Sequence, residues 1–139
     1  MDMWEIRDDV MNDICRRASD EYGSECCGVL LGVRDERCVL CSIPARNTLT
    51  GAMRDVGFCI DPLEMYRIEQ ESKVGGLEVV GVYHSHPDCE AGLSDWDRGQ
   101  MVPECLYLIV SVVDGDCMEV RCHERLAAGE AVEVMYRCG

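Results

Sequence analysis

Lysine is nearly missing from this chain of 139 residues: Lys73 stands alone, and the 13 basic residues, the rest of them arginine, face 27 acidic ones. The net charge of −14 argues against a nucleic-acid partner, because a phosphate backbone is gripped by clustered Lys and Arg. It keeps a small protein soluble and repels acidic partners; a salt-adapted or arginine-favouring host produces the same balance. No apolar run approaches the roughly 18 residues that span a bilayer, so no membrane partner is expected. Residues 1–13 are charged and polar, without the apolar segment behind a basic start that marks a secretory leader, and a cytoplasmic location is the expectation. Repeats, low-complexity tracts and linkers are absent as well. The length predicts one domain over residues 1–139, built round a single core.

Cysteine, by contrast, is plentiful at eleven. Their odd number, irregular spacing and the missing leader argue against a disulfide scaffold. Cys27, Cys38, Cys41, Cys59 and Cys105 fall within apolar runs, where free cysteine acts as a small buried hydrophobe. Cys38-Val-Leu-Cys41 is a lone C-x-x-C without the second pair that a structural zinc needs. Reduced thiols in a reducing compartment are the better reading.

Ile6, Val10, Ile14 and Ala18 recur at four-residue spacing and predict an amphipathic helix over roughly residues 5–21, ended by Gly23. Cys27–Val33 reads as a buried strand, Arg34–Arg37 as a turn and Cys38–Ile43 as the returning strand of a hairpin. A loop over Asn47–Asp55 precedes a short strand around Val56–Ile60. Asp61-Pro62 starts a helix, with Leu63, Tyr66 and Ile68 facing inward and Gly75-Gly76 closing it. Leu77–Tyr83 is a strand, Ser94 opens a short helix that Pro103 stops, and Cys105–Val113 is a central strand. Asp114-Gly115 turns into a strand at Cys117–Cys122, and Ala131–Tyr136 alternates as the last one. The order predicts an α+β (mixed α/β) domain with helices flanking a largely antiparallel, curved sheet.

Two of the three histidines lie in His84-Ser85-His86, and seven residues, Pro87 to Leu93, separate them from Ser94-Asp95-Trp96-Asp97. At a strand end, residues two apart leave the same face, so His84 and His86 point together while Ser85 points away. Asp97, in the first turn of the next helix, can return a carboxylate to the same point. Two imidazoles and a carboxylate leave a fourth position open, as a catalytic zinc requires; non-haem iron is the main competitor for this donor set. Each part alone has a plainer reading. His-x-His at a strand edge is commonly solvated, and Ser94-x-x-Asp97 is also a helix capping box. Those readings do not require the fixed gap, so the combination carries more than its parts. Hydrolysis further needs a base, since zinc lowers the pKa of water to about 7 and a carboxylate then relays the proton. Glu25 is the candidate, although composition alone does not prefer it over Glu21.

Glu25-Cys26-Cys27-Gly28 with Leu30-Leu31-Gly32, His84-Ser85-His86-Pro87 and Ser94-x-x-Asp97 resembles the JAMM/MPN metallopeptidase family, and more narrowly its small stand-alone bacterial and archaeal members. The resemblance extends over nearly the whole chain, including Asn47 and Phe58-x-Ile60-Asp61-Pro62. It implies an MPN-like domain with Zn2+ held by His84, His86 and Asp97, Glu25 as general acid/base, and Ser94 donating to the oxyanion of the tetrahedral intermediate. Leu93 replaces a proline that many relatives carry, which touches loop rigidity but no ligand. Cys89 places a thiol near the metal, with an inert loop role outweighing a redox or inhibitory one.

The family cleaves bonds after the C-terminal tails of ubiquitin-like proteins. Its small prokaryotic members imply a ubiquitin-like sulfur-carrier protein with a Gly-Gly tail as substrate. The enzyme would trim a tail beyond Gly-Gly or release an amino acid such as cysteine made on the carrier. A narrow groove admitting an extended diglycine would suit such a tail, by strand addition. A non-catalytic MPN-like scaffold is the rival of another class, disfavoured because all five motif residues are present. A related metallohydrolase with a different peptide substrate is the second rival.

Overall fold

Cys27–Val33 contains no charged residue, and the strand it forms, β2, is buried from Cys27 to Gly32. Such a run belongs inside a sheet covered on both faces. In the computed structural model, which describes residues 3–50, 53 and 57–139, β2 lies between β3 (Cys38–Ala45) and β4 (Glu78–Pro87), antiparallel to both. Around them run β1 (Trp4–Ile6), β5 (Leu106–Val113), β6 (Asp116–Arg125), β7 (Ala131–Val134) and β8 (Tyr136–Cys138). The eight strands form one sheet in the order β7-β6-β5-β4-β2-β3-β1-β8. β4–β5, β1–β3 and β1–β8 are parallel, and the other four pairings antiparallel. With α1 (Asp8–Asp20), α2 (Pro62–Val74) and α3 (Asp95–Gln100), this is the α+β class that the pattern predicts.

β7 and β8 occupy opposite edges of the sheet yet are separated in sequence by Met135 alone. One residue spans only about 3.8 Å, so the sheet must curl until its edges meet. Trp4 Nε1 on β1 accordingly donates to Glu124 on β6 at 2.8 Å. Side chains alternate across β2. Leu30 packs with Val10, Ile14 and Ala18 of α1, whereas Val29 and Leu31 pack with Ile68 of α2.

Four expectations change. Trp4–Ile6 is a strand, and α1 starts only at Asp8; Ile6 shares the four-residue spacing but is buried as a strand residue between β3 and β8. Leu63 and Tyr66 are 78% and 61% exposed, and only Ile68 faces in. Ile68 and Ser72, four apart, are the buried residues of α2, whereas a residue five before Ile68 lies well round the helix. Residues 57–60 form no strand, their polar groups being taken by Asn47 and Thr48 side chains; Val56 lies outside the described residues. Ala131–Tyr136 is two strands, broken at Met135 where the sheet closes.

Because β4 and β5 are parallel, the chain leaving His86 must cross back before β5 begins. That crossover contains α3 and brings Asp97 over the end of β4. No helix among the described residues is long and apolar enough to cross a membrane.

Candidate metal centre

His84 and His86 leave the end of β4 on one face, with their Nε2 atoms 3.1 Å apart. Asp97 spans them, Oδ1 lying 3.0 Å from His84 Nε2 and Oδ2 3.1 Å from His86 Nε2. The β2–β4 ladder pairs Cys27 with His84 and thereby carries Glu25 alongside. Glu25, His84 and His86 each present a donor atom within 4.8 Å of the others. All four residues are buried. Ser85 points to the opposite side, where its Oγ accepts from Cys26 N–H at 2.9 Å, while its own N–H donates to Cys26 carbonyl at 3.0 Å.

Ser94 caps α3: its Oγ accepts from Asp97 N–H at 3.1 Å, and its N–H donates to Asp97 Oδ2 at 3.0 Å. The capping reading and the carboxylate reading of S-x-x-D are thus one geometry. Ser94 also lines a cleft of about 440 Å³ with Glu25, His86, Cys89, Glu90, Gly92 and Leu93. All five motif residues are therefore brought to one place, and exposed Cys89 stands in the same cleft.

The donor set fits a divalent cation. His86 Nδ1 lies 2.9 Å from the Glu90 carbonyl, which can only accept, so that nitrogen carries the proton. Neutral His86 then turns the bare Nε2 lone pair on a carboxylate oxygen, which is repulsive unless a proton or cation sits between. His84 Nδ1 and Asp97 Oδ1 are buried without a hydrogen-bond partner, although Oδ1 stands 3.0 Å from His84 Nε2. The 3.0–3.1 Å separations are near the roughly 3.3 Å between ligands of a tetrahedral zinc with bonds of about 2.0–2.1 Å. Electrostatics agree. Burial opposes the Asp97 charge, yet the adjoining His84 and His86 imidazoles outweigh it and hold the carboxyl well below the usual range. Burial lowers His84. It also acts against a charge on His86, but Asp97 and the Glu90 carbonyl prevail and raise that pKa.

The seven-residue gap is held at almost every step. Asp88 N–H donates to Val112 carbonyl, and Ser111 Oγ donates to Cys89 carbonyl. His86 holds Glu90, Glu119 Oε1 accepts from Ala91 N–H at 3.1 Å, and His123 Nε2 donates to Ala91 carbonyl at 3.1 Å. Arg98 holds Leu93 carbonyl. Behind the centre, Arg17 of α1 donates to the carbonyls of Cys27 and Ala45 and to Tyr83 Oη, tying β2, β3 and β4 together. Phe58 stacks on His84, with ring centroids 4.5 Å apart. Ser85, Phe58, Ser111, Glu119 and His123 are the residues that sequence reasoning missed. Only Ser85 and Phe58 carried a signal, each lying inside a segment already singled out.

Residues 7–123 match the family model of prokaryotic homologs of the JAB domain. A desampylase from Haloferax volcanii is 33% identical over 108 residues, covering 77% of this chain and 76% of the relative. The solution structure of a protein from Desulfitobacterium hafniense aligns with a TM-score of 0.83 at 24% identity, covering 99% of this chain and 93% of that one. The crystal structure of a JAB1/MPN domain protein from Archaeoglobus fulgidus aligns with a TM-score of 0.61 at 18% identity, over 99% and 100% of the two chains. These two structures speak for the fold. The match over most of the chain, together with the curated relative, places the protein itself: it belongs to the prokaryotic JAB-domain family, as a small member of the JAMM/MPN group.

Proposed function

We propose that the ubiquitin-like protein on which this JAMM-type hydrolase acts is a sulfur carrier ending in Gly-Gly, and that residues 1–139 form one zinc peptidase domain. The bond cleaved is the one after Gly-Gly, which trims a tail or releases an amino acid bound to the carrier. The observation that carries this reading is the convergence of His84, His86 and Asp97 within 3.1 Å, with Glu25 beside them. Zinc held by His84, His86 and Asp97 would supply Lewis acidity and a water acidic enough to ionise near neutral pH. Glu25 takes the proton at its carboxylate and gives it to the leaving amine, a task suited to a buried carboxylate facing the cleft. Ser94 Oγ already accepts from Asp97 N–H, so its O–H proton is left to donate toward the oxyanion in the cleft. Asp97 is kept ionised by its histidine partners, and the capping box fixes its rotamer. A diglycine tail would occupy the cleft bordered by Cys89, Glu90, Gly92 and Leu93, where a chain without side chains beside the reacting carbonyl needs the least width.

Incubation with a ubiquitin-fold protein ending in Gly-Gly plus a short extension, read by intact mass, tests the proposal. Loss of the extension immediately after Gly-Gly, stopped by a chelator and restored by zinc, is expected. An unchanged mass with zinc-loaded enzyme would refute the substrate assignment.

A further inference from the structure

Asn47, two residues beyond β3, spends its whole amide on main chain. Nδ2 donates to the carbonyls of Glu25 and Gly57, both at 3.2 Å. Oδ1 accepts from the N–H of Leu49 and of Cys59, both at 3.1 Å. Only an amide offers two donors and a two-lone-pair acceptor on so short a stem. Its partners belong to three segments: the residue that carries the Glu25 carboxylate, the turn after β3, and the 57–59 strap. The strap is pinned from its other side, since Trp96 Nε1 of α3 donates to Phe58 carbonyl at 3.2 Å. A methyl at Gly57 would lie 2.6 Å from the Trp96 ring, so the strap has no room to shift that way. Phe58 in turn stacks on His84. One side chain therefore links the main chain of Glu25 to the ring packed on a metal-site histidine.

We propose that Asn47 is a positioning residue for the reaction: its amide fixes the main chain of Glu25 against the Gly57–Cys59 strap and so sets where the carboxylate stands relative to His84 and His86. The inference rests on Glu25 being the acid/base group. Glu25 follows Ser24 outside β2, which begins at Cys27, and Asn47 Nδ2 holds its carbonyl. The Cys26–Ser85 pair restrains the chain on one side, and Asn47 on the other. Asn47 does not line the cleft, so a change there acts through the groups it holds.

The test uses Asn47→Asp, which keeps the acceptors for Leu49 and Cys59 but has no N–H for Glu25 and Gly57, with Asn47→Ala as a second variant should the added charge prevent folding. Both are measured alone and combined with Glu25→Gln. The probe is a ubiquitin-fold protein ending in Gly-Gly with a fluorogenic amide at its C-terminus, with rates taken per bound zinc. We expect kcat to fall by about 10–100-fold, the range for partners just outside a metal-site's reacting groups. KM and zinc affinity, the latter by chelator competition, should stay within about three-fold. In the Glu25→Gln background the Asn47 change should add nothing, because the group it positions is gone. A kcat at the wild-type level beside an inactive Glu25→Gln overturns the positioning role alone, as does a full additive loss in the double variant. Full activity of Glu25→Gln overturns the acid/base reading and this inference with it.

Discussion

Ser85, between the two histidines, is expected to be a structural anchor rather than a spacer, and Ser85→Ala measures this. Ser85 is 1% exposed and Cys26, whose N–H it accepts, 2% exposed. Removing the hydroxyl leaves that buried N–H without its acceptor in a place with no room for solvent to replace it. The cost of such a loss is about 1–3 kcal/mol. A chain of this length has an unfolding entropy of roughly 0.3 kcal/mol per kelvin at the midpoint, so the metal-free protein should melt about 3–10 °C lower by the same scaling. Urea unfolding should report the same loss with an unchanged m-value. Ser42→Ala, on the partly buried β3, serves as the reference and should cost under about 0.5 kcal/mol. Because Cys26 adjoins Glu25, kcat should fall as well. A melting shift under 1 °C, or one equal to that of Ser42→Ala, would refute the view that Ser85 holds the start of β2.

Gly28→Ala would place a methyl 2.2 Å from the Tyr83 ring, whose hydroxyl Arg17 holds; about 1–3 kcal/mol of destabilisation and weaker zinc binding are expected, by urea unfolding and chelator competition. His123→Leu removes the donor to the Ala91 carbonyl and should weaken zinc binding by about ten-fold, whereas an unchanged affinity would show the 88–93 loop to be held without it. For the metal-free protein, His84 is lowered and contributes stability above its unfolded value near 6.5, lost as pH falls through the folded one. His86 is raised, so its contribution is complete below about 6.5 and lost as pH rises through the folded value. Melting should therefore peak near pH 6.5 without metal, and the added stabilisation by zinc should grow from there upward, since the ligands bind deprotonated.

The half of the site that was legible in the sequence is local. Strand alternation puts His84 and His86 on one face, and the three-residue capping geometry returns Asp97; both follow from short-range periods. Glu25 arrives through the β2–β4 register, a pairing across almost sixty positions that no spacing encodes, and only family resemblance pointed to it. His123 and Glu119 were invisible for the same reason, since they hold Ala91 from β6 across the sheet. The strand at Trp4–Ile6 was lost because its partners, β3 and β8, are remote in sequence, while Ile6 happens to extend the helical spacing of α1. Leu63 and Tyr66 failed for a simpler cause: apolar character alone was read as burial, although neither falls on the helix face occupied by Ile68 and Ser72.

Two ligand sets are compatible with donor atoms this close: His84 and His86 with Asp97, or His84 and His86 with Glu25. The contact of Asp97 with both histidines, at 3.0 and 3.1 Å, favours the first and leaves Glu25 for proton transfer. Zinc content by elemental analysis of the wild type, Asp97→Ala and Glu25→Gln decides between them. The expected content is one zinc per chain in the wild type and in Glu25→Gln, with none retained by Asp97→Ala. Zinc kept by a folded Asp97→Ala but lost from Glu25→Gln would contradict it.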